Sequence, residues 1–514
     1  MSEPILLLRN AAIAHRDKHK PGAERVDILI KADRVAAVEP PMSIPDAVAD
    51  QVVEASRLLV LPGMINGHVH SWDHFLKGLL ENLTTELFMA QIRPRTPVVL
   101  SERQIYLRTM IGAIESLKTG ATTIIDDMSL GQVFSRRAVH AAFEAYEDSG
   151  TRALIGFSMI DKPVVDSYPF VDELFPAGLL SELRALPRPK GTDLLDLCRE
   201  LAATHHPSSR RVGVIVAPSA AQRCTDDFLK ACRKLADQLD LPAMIHCQET
   251  RLQIVTAEEF YGRSIVTHLR DLGFLAPRTS LIHATWLSER DIDIIATTGA
   301  SVQYNPWSNI ITGAGVAPVR QCLERGINVS MGSDGTGILY GVNMLNAVGV
   351  GAALHKIYEP DYRRWLSAQE TFEAATIGGA RALGLADRLG RLEVGYKADL
   401  VGYSLDAPSL TPLNDPVRQI VYGERGAGVD TVIVDGRIVL RAGKCTLIDE
   451  VSLLREAQEA HAELQEQIAG SLGDSQPFLD ALSKVYFKTL ECPLCHDHLP
   501  AWVTGNNISR EPAG

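Results

Sequence analysis

Between about residues 57 and 335 the chain alternates short, nearly continuous apolar runs with longer stretches of helical periodicity. The runs are LLVLPGMINGHVH, ATTIIDDM, RALIGFSMI, RVGVIVAPSA, PAMIHCQET, TSLIHATW, ASVQYNP and INVSMGSDG, eight in all. Runs of this kind mark parallel strands covered on both faces, and stretches such as Glu102–Lys118 and Asp226–Gln238 supply the covering helices. Strand followed by helix, repeated eight times, predicts an α/β fold of the (β/α)8 TIM-barrel type. An open doubly wound sheet, usually of about five or six strands, is the rival arrangement.

The flanks follow a different pattern. Residues 4–59 and 398–445 carry short strands with turn punctuation, and VIVDGRIVL reads as a hairpin around Asp435-Gly436. Neither flank has enough strands to close a core, so the two are expected to pair. The predicted domains are a composite β-sandwich from 1–60 and 386–448, a TIM barrel over 61–385, and an extension over 449–514. That extension is expected to be helical over Val451–Ile468 and then irregular.

Composition narrows the function classes. With 46% apolar and 22% charged positions in 514 residues, the chain is neither disordered nor fibrous. Sixty-three acidic against 51 basic residues give a net charge of −12, and no basic block is present. This disfavours a nucleic-acid backbone or an acidic membrane as partner. The absence of an apolar run of about 18 residues, and of a signal-peptide layout at the N-terminus, predicts a cytoplasmic protein. Eight scattered cysteines are expected to be reduced thiols.

Ligand-type residues sit at the ends of the predicted strands. His68 and His70 close the first, in N-G-H-V-H, and residues two apart on a strand face the same side. The fifth ends in His246 with Glu249 three residues on, the sixth carries His283, and the eighth ends in Asp334. A barrel brings all these ends to one face. Three imidazoles and one carboxylate suit a divalent transition ion, Zn2+ or Fe2+, so His68, His70, His246 and Asp334 are assigned as ligands. One negative ligand leaves the site net positive, able to lower the pKa of a coordinated water towards about 7. Glu249 is the candidate proton shuttle, with a salt-bridge or bracing role as the plainer reading. His283 either binds metal or steadies the attacking oxygen, the second being preferred.

The text P-G-M-I-N-G-H-V-H (62–70), E-S-L-K-T-G-A-T-T-I-I-D (115–126), H-C-Q-E-T (246–250), H-A-T-W (283–286), N-P-W-S-N (305–309) and S-D-G (333–335) resembles the amidohydrolase superfamily. Within it, the chain is similar to the mononuclear aminohydrolase and chlorohydrolase branch, which holds cytosine, guanine and methylthioadenosine/S-adenosylhomocysteine deaminases and the triazine hydrolases. T-I-G-G-A-R-A-L-G (376–384) and G-R-L-E-V-G-Y-K-A-D-L (390–400) resemble the family's exit into its composite β-domain, so the likeness spans about residues 4–445. The resemblance implies the same four ligands, Glu249 and His283 as the proton-transfer and orienting pair, and Asp334 as a further catalytic base. It also implies a single metal, because Val212–Ala220 holds no lysine where binuclear relatives carry a bridging one. One departure is Ser219, in A-P-S-A-A-Q, where nucleoside-deaminating relatives commonly have a histidine.

Trp72, Phe75, Tyr304, Asn305, Trp307 and Asn309, with Ser219 and Gln222, are candidates for stacking on and hydrogen-bonding a flat heterocycle. The alternative for the aromatics is packing at the loop bases. Cys492, Cys495, His496 and His498 could form a small zinc knuckle, with uncoordinated thiols the simpler reading. The expected activity is hydrolytic deamination of a nitrogen heterocycle of purine, pyrimidine, pterin or triazine type, by a homo-oligomer. Hydrolysis of an amide, urea or carbamate bond, dechlorination of a triazine, and a non-catalytic metal-binding barrel are the alternatives.

Overall fold

In a computed structural model, residues 3–15, 22–92, 95–129, 135–337, 341–494 and 500 are described. All eight apolar runs form strands: Met64–Val69, Ala121–Asp127, Arg152–Gly156, Val212–Val214, Ala243–Cys247, Thr279–His283, Ser301–Tyr304 and Val329–Met331. Neighbours pair in parallel within the first four and within the last four. Bridges Val216–Ala243 and Ala220–His246 join the two halves on one side. On the other side the Asn66 carboxamide takes the place of a ladder. Its Oδ1 accepts from the Ser333 N–H at 2.9 Å and its Nδ2 donates to Ser333 Oγ at 2.8 Å, while the Asp334 N–H donates to the His68 carbonyl at 2.8 Å. The closed barrel replaces the open-sheet alternative.

Ile125, Leu154, Ile215, Met244 and Ile282 cluster with Ile377 and Leu389, from the return of the chain after the eighth strand, as an apolar plug. Burial of these residues sets the strand register, because a slip of one position would turn the histidines at the strand ends away from the interior. The helices follow their local signals. Over Glu102–Lys118, the Ser101 hydroxyl accepts from the Gln104 N–H while the Gln104 side chain accepts from the Ser101 N–H.

The flanks pair as expected: Leu58–Pro62 lies antiparallel to Leu400–Ser404, knitting both flanks into a composite β-sandwich whose strands are hydrogen-bonded as one nine-stranded sheet. Asp435 and Gly436, both at positive φ, form the hairpin turn. Arg152, from the third barrel strand, reaches into this sheet, with Nε 2.8 Å from Asp399 Oδ2 and Nη2 paired to Asp435. Burial opposes its charge, but the two carboxylates outweigh burial and keep the guanidinium protonated.

The C-terminal extension departs from its expected outline. One helix runs from Glu450 to Glu491, through Gly470, Gly473 and Pro477. These residues disfavour helix by about 1 kcal/mol per glycine and about 3 for proline. The opposing force is tertiary: Phe478, Ala481, Leu482 and Val485, at helical spacing, are buried against Leu180, Leu183 and Leu252. Cys492 is described, but Cys495, His496 and His498 lie outside the described residues. Among the described residues no helix is long and apolar enough to cross a membrane.

Removing both carboxylates would leave the buried Arg152 guanidinium uncompensated, so Asp399→Ala with Asp435→Ala should lower stability by about 3–5 kcal/mol and Asp399→Ala alone by less, read as a reduced urea midpoint with unchanged slope.

Candidate functional site

The strand ends bring five ligand-type side chains together. The His68 and His70 rings lie 4.6 Å apart centre to centre, and His246 is 5.0 Å from His68. Asp334 Oδ1 is 3.5 Å from His68 Nε2 and 3.4 Å from His70 Nε2, and its Oδ2 is 3.6 Å from His283 Nε2. One potential ligand atom from each of His68, His70 and His246 falls within 4.8 Å of the others, and so it does for His68, His283 and Asp334. His283 and Asp334 carry φ of 69° and 68°, so the backbone turns sharply as it delivers them.

Bracing contacts fix the ring orientations. His70 Nδ1 lies 2.9 Å from the Asp127 carbonyl and His246 Nδ1 lies 2.7 Å from the Ser219 carbonyl. Donation there places each proton on Nδ1 and leaves Nε2 with a lone pair. Burial drives His68 and His246 well below the usual imidazole range, which keeps them neutral and ligand-competent. Burial also acts on His70, but the carboxylates of Asp334, Asp127 and Asp73 outweigh it and favour positive charge there. The imidazoles hold Asp334 below the carboxylate range despite its burial.

His68 gives the sharpest indication of a metal. It is wholly buried, and among the described residues neither ring nitrogen has a hydrogen-bond partner. Each unpaired buried polar atom costs about 1–3 kcal/mol, and a coordinated cation removes that cost. The donor set of imidazoles with one carboxylate fits a mononuclear transition-metal centre.

Glu249 and His283 stand beside this cluster, with Glu249 Oε1 3.6 Å from His283 Nε2. Thr85 Oγ1 donates to Glu249 Oε1 at 2.7 Å and Gln253 Nε2 to Oε2 at 3.2 Å. Thr250 in turn donates to Glu86, so two consecutive residues of one segment staple two of the other. Burial pushes the Glu86 carboxyl up to about 7.

A cavity of about 540 Å³ opens on the cluster. Trp72 and Phe75 line it, with Trp72 5.8 Å from the His70 ring. The other candidate substrate residues lie behind its wall. Asn309 Oδ1 is 3.0 Å from His283 Nδ1, Asn305 bridges Gln303 and His283, and Ser219 accepts from Arg223 through its hydroxyl. Gln222 is buried and accepts from Lys162 through its backbone carbonyl, Tyr304 is buried beside His355, and Trp307 packs with Trp72 around Phe88. The Ser219 carbonyl braces the His246 ring and the Asn305 and Asn309 amides brace that of His283, while Tyr304 and Trp307 pack the loop bases.

Several supporting residues had not been singled out from the sequence. Asp73 accepts from the Thr336 and Gly337 N–H groups at 3.0 and 2.9 Å, tying the loop after the first strand to that after the eighth. A side chain at Gly335 would strike its carboxylate. Asp126 and Asp127 end the second strand, and that position was their available signal. Thr85 has none, since it meets Glu249 only through the fold.

The amidohydrolase family model matches residues 59–439. A 5'-deoxyadenosine deaminase of Methanothermobacter thermautotrophicus is 32% identical over 443 residues, covering 86% of this chain and 96% of that protein. Among solved structures, an adenosine deaminase from Xanthomonas campestris with bound zinc has a TM-score of 0.77 at 25% identity, over 91% of this chain and 100% of that one. An atrazine chlorohydrolase from Arthrobacter aurescens complexed with zinc has a TM-score of 0.77 at 23% identity, over 89% and 100%; at that identity the likeness concerns the fold.

Thr85→Val should lower kcat roughly tenfold or more by freeing the Glu249 carboxylate. Thr85→Ser should restore most of it, and metal content, measured by elemental analysis, should be unchanged in both.

Proposed function

The chain belongs to the amidohydrolase family, and from that premise we propose that it deaminates a nitrogen heterocycle hydrolytically. Water adds to an electron-poor ring carbon and the exocyclic amino group leaves as ammonia. The observation that carries this reading is the placement of Glu249 and His283, 3.6 Å from each other, with His283 also 3.6 Å from the ligand carboxylate Asp334. A proton donor and an orienting imidazole thus share one point with the metal-ligand cluster. The deaminase relative, aligned over nearly its whole length, supports the choice of amine as leaving group. The aminohydrolase side of the branch is therefore our assignment.

We assign His68, His70, His246 and Asp334 as ligands of one divalent ion, with zinc preferred to iron because the similar adenosine deaminase structure holds zinc. When bound, that ion would supply Lewis acidity that makes a coordinated water acidic near neutral pH. The chain's own residues do the rest. Asp334, held anionic, accepts the first proton of the water or passes it on. Glu249, fixed by Thr85 and Gln253, carries a proton to the ring nitrogen and then to the departing amine. His283, fixed through Nδ1 by Asn309, presents Nε2 to the incoming oxygen and steadies charge on it. Trp72 and Phe75 flank the ring. Our reading also has the enzyme cytoplasmic and homo-oligomeric, acting on small molecules without nucleic acid.

Glu249→Gln should cut ammonia release from an aminopurine, aminopyrimidine and aminotriazine panel by about 10²–10⁴-fold with metal content and fold retained. Release of chloride or of a substituted amine in place of ammonia would overturn the deamination reading. Removing the metal with a chelator should abolish turnover, and one equivalent of Zn2+ per chain should restore it; His68→Ala should lose both metal and activity.

A further inference from the structure

The cavity is much larger than a heterocycle at the polar centre requires. At about 540 Å³ it falls in the range of sites that enclose a whole drug-sized ligand, roughly 300–1,000 Å³. His70, Asp73, His246, Glu249, His283 and Asp334 gather its acidic and imidazole groups around the metal-ligand cluster. Away from them the lining is predominantly apolar and comes from three stretches: residues 97–100, the excursion at 160–165 and 183–189 after the third barrel strand, and the C-terminal helix with Leu464, Ile468, Leu472 and Phe478; Glu102, Lys162, Arg188 and Ser471 are the polar side chains in or beside these stretches.

We infer that the substrate heterocycle carries an apolar arm, an alkyl or aryl substituent, that runs from the metal centre into the space between the excursion after the third strand and the C-terminal helix, where Ile468 and Leu472 meet it. The inference takes the ring at the metal from the deamination reading and adds the chemistry of its substituent. A charged or polyhydroxylated arm would lose more water against this mostly aliphatic lining than its few polar side chains return. The lysine at that end is engaged elsewhere, Lys162 Nζ donating to the Gln222 carbonyl at 3.0 Å.

The helix is a fixed wall, tied along its whole length. Lys118 pairs with Glu450 and Arg103 with Glu456 near its start. Gln91 Nε2 donates to the Leu472 carbonyl at 2.8 Å and Arg95 Nη2 lies 2.9 Å from Asp474 in its middle. Arg251 donates to the carbonyls of Thr489, Leu490 and Cys492 at its end. A pre-formed apolar wall gains affinity from an apolar group without an ordering cost. The helix lies beyond residues 59–439, the part matched by the family model.

The test is binding by titration calorimetry, paired with ammonia release, on the metal-loaded full chain. Two homologous series serve as probes, N9-n-alkyl adenines and N-n-alkyl diaminotriazines, from methyl to octyl. In at least one series affinity should rise about two- to fourfold per methylene until the arm fills the cavity. Leu472→Asn, at a partly buried position, should flatten that dependence. Ile468→Ala should move the optimum to a longer arm, and it serves as the second variant should the first fail to fold. Affinity that is flat or absent across both wild-type series overturns the inference, as does a slope unchanged in both variants. Affinity that rises with chain length while no homologue releases ammonia leaves the apolar arm standing and overturns the deamination reading instead.

Discussion

Everything in this molecule is organised around the convergence of imidazoles and one carboxylate at a buried point. His68 has no exposed surface and, among the described residues, no hydrogen-bond partner at either ring nitrogen, and three further histidines crowd beside it. Protonating them all would concentrate positive charge at a buried point, and leaving them neutral strands their lone pairs. A single divalent ion resolves both difficulties at once. The energy of that coordination is folding energy as well, because the ligands come from strands far apart in the chain and meet only when the barrel closes.

The bracing of the ligands shows how the barrel distributes its work. Backbone carbonyls at the ends of the second and fourth strand regions orient His70 and His246. The Asn66–Ser333 clamp closes the seam beside His68 and Asp334. Stability and chemistry thus draw on the same strand ends, and a change to the register of any of these strands would alter the site as well as the core.

Much of this was legible in the chain. The eight apolar runs identify the strands, and a barrel's geometry then places His68, His70, His246, His283 and Asp334 on one face. What the sequence hid were contacts made only by folding. Thr85 and Glu249 stand 164 residues apart, and nothing in the local text of either announces the other. Asn305 and Asn309 follow the seventh strand at the barrel mouth, where an amide reads as a substrate donor; the structure sets them at the head of and inside the short helix Pro306–Ile311 and turns them onto Gln303 and His283. The local pattern predicts a shorter helix because Gly470, Gly473 and Pro477 are strong local breakers, and the burial of Phe478, Leu482 and Val485 that overrides them is a tertiary effect.

Three consecutive residues, Glu249, Thr250 and Arg251, meet three different partners: Thr85, Glu86, and the carbonyls at the end of the C-terminal helix. During synthesis the ribosome delivers that helix after every element it braces. A chain cut before residue 489 would lose the carbonyls that Arg251 grips, and the segment that bears Glu249 would be held by Thr85 and Gln253 without that outer anchor.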